Sequence, residues 1–382
     1  MHRRDLLKAA ATLPLLNAAR LFAAPPANTR LLVVFMRGGY DAANVVVPVA
    51  SDFYYEARPT IAIPRGDALP LADGFGLHPI LKGSLYPLWA KRQLAFVPFA
   101  GTSDLSRSHF ETQASIERGG SAAGSGFMGR LVAQLTGTTP IAFTSELPLI
   151  LRGAAVPNIA PDALGGGGGD TRQAALIARM YAKDTLGSAV RQGFGARIAV
   201  SEALATEMAT AGQGAIPAQG FEAAARKIGR VMRDKYTLGF VDVGGWDTHV
   251  EQGGVGGPLS FVLDVLGKSL AGFADEIGPA WANTVVVVIS EFGRTIRENG
   301  GRGTDHGHGT AYWLMGGKVA GGKLHGEQVR LTRATLNQDR DLPVLNDYRQ
   351  VLGGLFQRLY GLTPAQVETV FPGAKPVDLG LI

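Results

Sequence analysis

The chain of 382 residues contains no cysteine. That absence excludes thiolate catalysis, cysteine-ligated zinc and iron–sulfur clusters, and it leaves no disulfide to stabilise the fold. Charge is sparse as well, with only 18% Asp, Glu, Lys and Arg, and no Lys/Arg cluster stands out beyond the first residues. Nucleic acid is therefore not an expected partner. No apolar run is long enough to span a bilayer, and the Gly-Lys-Ser/Thr ending of a phosphate-cradling loop is missing: the glycine run at 165–169 continues as Asp170-Thr171-Arg172. No internal repeat is visible.

The beginning of the chain carries an export signature. Arg3 and Arg4 stand together, followed by a moderately apolar stretch from Ala9 to Ala24 that Pro14, Asn17 and Arg20 interrupt. A charged start, a weak apolar centre and a small-residue end form a leader, and the paired arginines point to the twin-arginine export machinery. Residues 1–24 are read as that leader, which places the mature protein in the periplasm or outside the cell, with no integral membrane segment once it is removed. The leader holds four basic residues (Arg3, Arg4, Lys8, Arg20) and one acidic (Asp5), so the mature chain carries 33 against 31 and the net charge falls from +5 to +2. Such a balance gives no reason to expect a polyanionic partner.

The remaining residues suit a single compact domain over 28–382, since 46% are hydrophobic and about 355 residues bury enough surface to dispense with disulfides. Strand-like and helix-like segments alternate, which predicts an α/β fold, a three-layer α/β/α sandwich around a largely parallel sheet. Strands are expected at 31–36 (LLVVFM), 94–99 (LAFVPF), 237–243 (TLGFVDV), 284–290 (TVVVVIS) and 311–315 (AYWLM). Helices are expected at 110–118, 218–235 and 258–277, and in a last one capped by Asn346 or Asp347 and stopped by Gly361. The stretch from about 119 to 215, rich in Gly, Ala and Thr, reads as an insertion or cap, helical from about 171 to 211.

Polar residues collect just after the strands. Asp41 follows Gly38-Gly39, Asp247-Thr248-His249 follows Gly244-Gly245, and Glu291 closes the strand ending at Ser290. In a parallel sheet the carboxyl ends of strands open on one edge, where ligands bind, so these acids and imidazoles should converge. The loop Asp305-His306-Gly307-His308 places two histidines in a glycine-rich setting where packing has no use for them. Carboxylate with imidazole suits a divalent metal: zinc, manganese, iron or calcium. The candidate ligands are Asp41, Asp247, His249, Glu291, Asp305, His306 and His308. A second constellation, Ser103-Asp104-Leu105-Ser106-Arg107-Ser108-His109, leads into the helix at 110–118; Ser106 or Ser108 is a candidate hydroxyl nucleophile or a helix cap. Arg37, Arg107 and Arg294 are candidate partners of an anionic transition state. His78 and His325 sit in ordinary loops and are read as structural.

Taken in order, the strand-GGxD start, GGWDTH (244–249), SEFGRT (290–295) and DHGHG (305–309) resemble a family of exported bacterial proteins, domain-of-unknown-function family 1501, of the alkaline-phosphatase-like (phosphatase/sulfatase) superfamily. The resemblance spans about 30–372. It implies an alkaline-phosphatase-like sandwich with a metal at the strand ends and a small anionic ester or glycan as substrate. On it, Asp41 corresponds to the first-strand acid, Asp247 and His249 to an acid–histidine metal pair, His306 or His308 to the late histidine, and Ser106 or Ser108 to the nucleophile. Phe292 stands where that superfamily carries a histidine ligand, and the spacing from Asp247 to His249 is short. The formylglycine signature, Cys or Ser followed by x-Pro-x-Arg, is absent. The expected function is metal-dependent hydrolysis of phosphate or sulfate esters; the alternative is a catalytically inactive relative, a binding or scaffold protein at the cell envelope.

Overall fold

The computed structural model describes residues 29–121, 124–160, 212 and 214–382. The leader, the glycine run and the helical stretch expected from 171 to 211 lie outside the described residues.

The elements, in chain order, are β1 (Arg30–Met36), β2 (Val46–Val47), α1 (Asp52–Ala57), β3 (Leu69–Pro70), β4 (Gly76–Leu77), α2 (Tyr86–Ala90), β5 (Leu94–Gly101), α3 (His109–Arg118), α4 (Phe127–Gln134), β6 (Pro140–Ala142), β7 (Ile216–Pro217), α5 (Phe221–Asp234), β8 (Leu238–Gly244), α6 (Pro258–Ile277), β9 (Thr284–Ser290), β10 (Thr310–Met315), β11 (Asn346–Asp347), α7 (Tyr348–Tyr360) and α8 (Pro364–Val370). The five longest strands and the helices at 258–277 and 348–360 stand where their periodicity predicts them.

The main sheet runs β11-β5-β10-β9-β1-β8-β6, with β7 pairing with the end of β8, while β2, β4 and β3 form a small separate sheet. β1 is parallel to both neighbours, its Met36 lying beside Ser290 and Val243. The pairings of β10 with β5 and β9 are antiparallel, so its beginning, not its end, lies at the carboxyl edge of the other long strands. β6 lies in register with β8, so the described start of the 119–215 stretch contributes to the sheet itself.

Both faces of the sheet are covered, which is why its central strands read as unbroken apolar runs. Along β1, Leu32, Val34 and Met36 face a core built with α5 and α6, and Leu31, Val33 and Phe35 face a second core built with α4, α7 and α8. Three layers result, with the sheet in the middle. α3 begins at the carboxyl edge of β5: the Ser108 side chain caps it by accepting from the Glu111 N–H, and Gly119, left-handed at φ 61°, ends it. No helix among the described residues is long and apolar enough to cross a membrane.

Candidate metal centre

Four side chains meet at the carboxyl edge of the sheet. Asp247 and His249 come from the loop after β8, His306 from the loop before β10, and His109 from the first residue of α3. Asp247 is the hub. Its Oδ1 lies 2.9 Å from His249 Nε2, 3.3 Å from His306 Nε2 and 2.6 Å from Arg294 Nη1. Its Oδ2 faces His109 Nε2 at 3.4 Å, the outer limit of a hydrogen bond, and neither atom has a better partner among the described residues.

The outer nitrogen of each ring decides what the inner one presents. His109 Nδ1 lies 2.8 Å from Glu291 Oε1, which also accepts from the Gly38 N–H and the Gln113 amide, each at 2.8 Å. An ionised carboxylate only accepts, so the proton is on His109 Nδ1. His306 Nδ1 lies 2.9 Å from the Arg107 carbonyl, again an acceptor only. His249 Nδ1 faces Asp305 Oδ1 at 3.5 Å. Each Nε2 therefore points inward at the Asp247 carboxylate, donating to it when the ring is protonated and offering a ligand lone pair when it is not. His249 Nε2 and His306 Nε2 stand 3.0 Å apart. Two facing lone pairs at that distance need a proton or a cation between them.

The electrostatics agree. Burial would raise Asp247, but hydrogen bonds from His109, His249 and His306 and the Arg294 charge hold it far below the usual carboxylate range. Glu291, completely buried, is likewise lowered: burial opposes ionisation, and the bonds to His109 and Gln113 outweigh it. His109 is pushed up to about 9, because its contacts with Asp247 and Glu291 overcome a burial effect that alone would lower it.

Tight backbone packing brings these loops together. Gly38 has φ 122°, and a Cβ there would lie 2.9 Å from the Asp247 backbone nitrogen. Gly307 sits against the Arg294 backbone, where the two loops pair through Arg294 and His306. Phe292 forms an apolar wall, its ring centroid 4.8 Å from that of His109 and 5.1 Å from that of His306.

The donor set fits a divalent ion. His109, Asp247 and His306 each offer one ligand atom, all within 4.8 Å of one another. Two imidazoles and a carboxylate are a ligand set for zinc, manganese or iron. Calcium, which takes six to eight oxygens, is poorly matched by so many nitrogens.

Of the residues marked in the sequence, Asp247, His249, Glu291, Arg294, Asp305 and His306 do converge, and the others lie apart. Asp41 is turned away: both its oxygens pair with the fully buried Arg58 guanidinium, and Oδ2 also accepts from Gln252. His308 faces Asp104, Arg107 and Asp341. Arg37 is locked by Asp242 at 2.7 Å and Glu117 at 3.0 Å. Arg107 pairs with Asp341 and contributes to the cluster only its carbonyl. Ser108 is the helix cap, and the Ser106 hydroxyl lies 3.1 Å from that of Thr112. His78 and His325 bond backbone carbonyls, as structural residues do. A cavity of about 710 Å³ adjoins the ion pairs of Arg37 and is walled by Glu117, Asp242 and Arg152; the histidine cluster does not line it.

His109 is the member that sequence reasoning missed. Its mark was its place directly after a cap serine at a strand-to-helix turn, on the edge where the other residues collect.

The family model for a protein of unknown function, DUF1501, matches residues 28–371. The chain belongs to that family. No curated protein matches it. Among solved structures, the chain is similar to a protein in the alkaline phosphatase superfamily from Vibrio parahaemolyticus, with 12% identity and a TM-score of 0.38 over 77% of this chain. It spans 62% of the length of that protein. It is also similar to the lipoteichoic acid synthase LtaP from Listeria monocytogenes (8% identity, TM-score 0.41, 95% of this chain and 81% of that one). A third likeness is to Ps i-CgsB in complex with k-i-k-neocarrahexaose (11% identity, TM-score 0.41, 88% and 73%).

Proposed function

We propose that this DUF1501 protein is a metal-dependent hydrolase of phosphate or sulfate esters, exported by the twin-arginine route and active in the periplasm or outside the cell. The observation that carries the reading is the inward convergence of three imidazole Nε2 atoms on one buried carboxylate, with His109 Nε2 and Asp247 Oδ2 both short of a good partner. A site of this kind has the chemistry of a metal centre.

His109, Asp247 and His306 hold the ion. When bound, it supplies Lewis acidity to an ester oxygen. Arg294 is fixed by Asp247 and by the Thr304 hydroxyl, and its buried Nη2 has no partner among the described residues. That N–H is a ready donor to an anionic ester oxygen. His249, backed by Asp305 and partly open to solvent, is placed to carry a proton on Nε2 between water and the leaving group. Phe292 keeps water off the inner faces of His109 and His306.

Elemental mass spectrometry of the protein recovered after export, beside the Asp247→Ala/His249→Ala variant, tests the site; p-nitrophenyl phosphate and p-nitrophenyl sulfate test the chemistry. A stoichiometric metal lost in the variant supports the reading. A metal-free wild type that stays inert to both esters after reconstitution sinks it. Export is tested by fractionating cells that carry Arg3→Lys/Arg4→Lys, which should retain the precursor.

One observation favours a second reading, a binding or scaffold protein at the cell envelope. Arg294 Nη1 already neutralises Asp247 Oδ1 at 2.6 Å, so the cluster carries its own cation. Function that survives Asp247→Ala would select this alternative.

A further inference from the structure

Glu291 is the strand-end acid that the sequence marks as a candidate ligand, yet its surroundings give it another task. It is fully buried. Oε1 accepts three N–H groups at 2.8 Å, from Gly38, Gln113 and His109, and Oε2 accepts from the Ser290 hydroxyl at 3.0 Å. A carboxylate so occupied could bind a cation only by orphaning buried donors. The chain of contacts continues outward: Gln113 Oε1 accepts from Arg37 Nη1 at 2.9 Å, which turns the amide so that its NH₂ faces Glu291. Arg37 is itself held by Asp242 and Glu117. Hydrogen bonds thus run without a break from Arg37 through Gln113 to Glu291, and His109 donates to the same carboxylate from the other side.

From this arrangement we infer that Glu291 is a positioning residue and not a ligand: it holds the proton on His109 Nδ1 and aims Nε2 at the metal. The inference rests on the metal reading given above and deepens it. A carboxylate behind a ligating imidazole fixes the tautomer, restrains the ring and raises the basicity of the coordinating nitrogen, and losing such a partner typically weakens metal binding about 10–100-fold. Glu291 is well suited to the role because three other donors fix its own orientation. A ring held by a mobile carboxylate would gain little.

The test is a double-variant cycle on the full chain, with Zn²⁺ alone as the probe, titrated in competition with a chromophoric chelator. Glu291→Gln keeps the volume and an acceptor oxygen and should weaken Zn²⁺ binding about 10–100-fold. His109→Ala should weaken it at least as much. In the His109→Ala background the further change Glu291→Gln should cost less than about twofold, because its effect passes through the lost ring. A full second loss in that background overturns the positioning role and makes Glu291 a ligand; unchanged affinity in Glu291→Gln alone overturns it too. A measurement on the wild type covers the case in which a variant does not fold. With ¹⁵N-labelled histidine in the zinc-loaded protein, His109 should show a protonated Nδ1 and a metal-bound Nε2, and the reverse assignment overturns the inference. If wild type binds Zn²⁺ but the cycle is additive, only the role of Glu291 falls. If wild type binds no Zn²⁺, the proposed function falls and takes this inference with it.

Discussion

Asp247 Oδ2 and His109 Nε2 face each other across 3.4 Å, both buried, in an arrangement that neither completes as a good hydrogen bond. The other oxygen of the same carboxylate is crowded by Arg294, His249 and His306. One side of Asp247 is thus saturated, and the other faces only His109 among the described residues.

Replacing Asp247 by alanine should act twice. The metal-to-protein ratio, read by elemental analysis, should fall to background. Metal-free stability should also drop by about 3–5 kcal/mol in urea melts, since Arg294 is then a buried charge without its partner. A variant that retains stoichiometric metal would remove Asp247 from the ligand set.

His109 predicts how the metal-free protein responds to pH. Its folded value of about 9 lies above its ordinary value of 6.5. Its contribution to stability is therefore complete below about pH 6.5 and is lost as the pH rises through 9, a fall of roughly 3 kcal/mol. Asp247 and Glu291 have the opposite sign: both are lowered, and their contribution is lost as the medium becomes acidic. Urea melts at pH 6.5 and 9 should show the alkaline loss in wild type, and His109→Ala should abolish it. Zinc displaces the same proton, so apparent zinc affinity should rise about tenfold per pH unit up to pH 9.

Asp41→Ala separates a structural acid from a ligand. Arg58, fully buried, would lose its bidentate partner, and a cost of about 3–5 kcal/mol is expected. Metal content of the folded variant should be unchanged. Loss of metal in a variant that keeps its thermal midpoint would put Asp41 back among the ligands.

Ser108→Ala should remove one helix cap, lower stability by about 1 kcal/mol and leave ester turnover within a few-fold of wild type. Abolished turnover with an unchanged melting curve would instead identify the hydroxyl as the nucleophile.

The fold was legible because its evidence is local. The run TVVVVIS at 284–290 has no polar face, so it must be buried on both sides, and it lies at the centre of the sheet. Leu259, Val262, Leu263, Leu266 and Leu270 repeat at helical spacing, and α6 turns that stripe to the sheet. The direction of β10 was not legible, since an apolar strand reads the same in both senses. Most of the site was legible for a similar reason: Asp247, His249, Glu291 and His306 follow strands or flank glycines in loops where packing alone does not require them.

By itself, then, the sequence determined the chemistry that is excluded, the layered α/β architecture, and the edge where acids and imidazoles gather. Periodicity and composition encode these directly. Only the tertiary structure decided which acid does what. Asp41 and Asp247 look alike along the chain, but Arg58 takes the first, and three imidazoles, from the start of α3, from Asp247's own loop and from the loop before β10, take the second. Partner choice of this kind depends on distances between residues up to 253 positions apart, as between Gly38 and Glu291, and no local pattern carries that information.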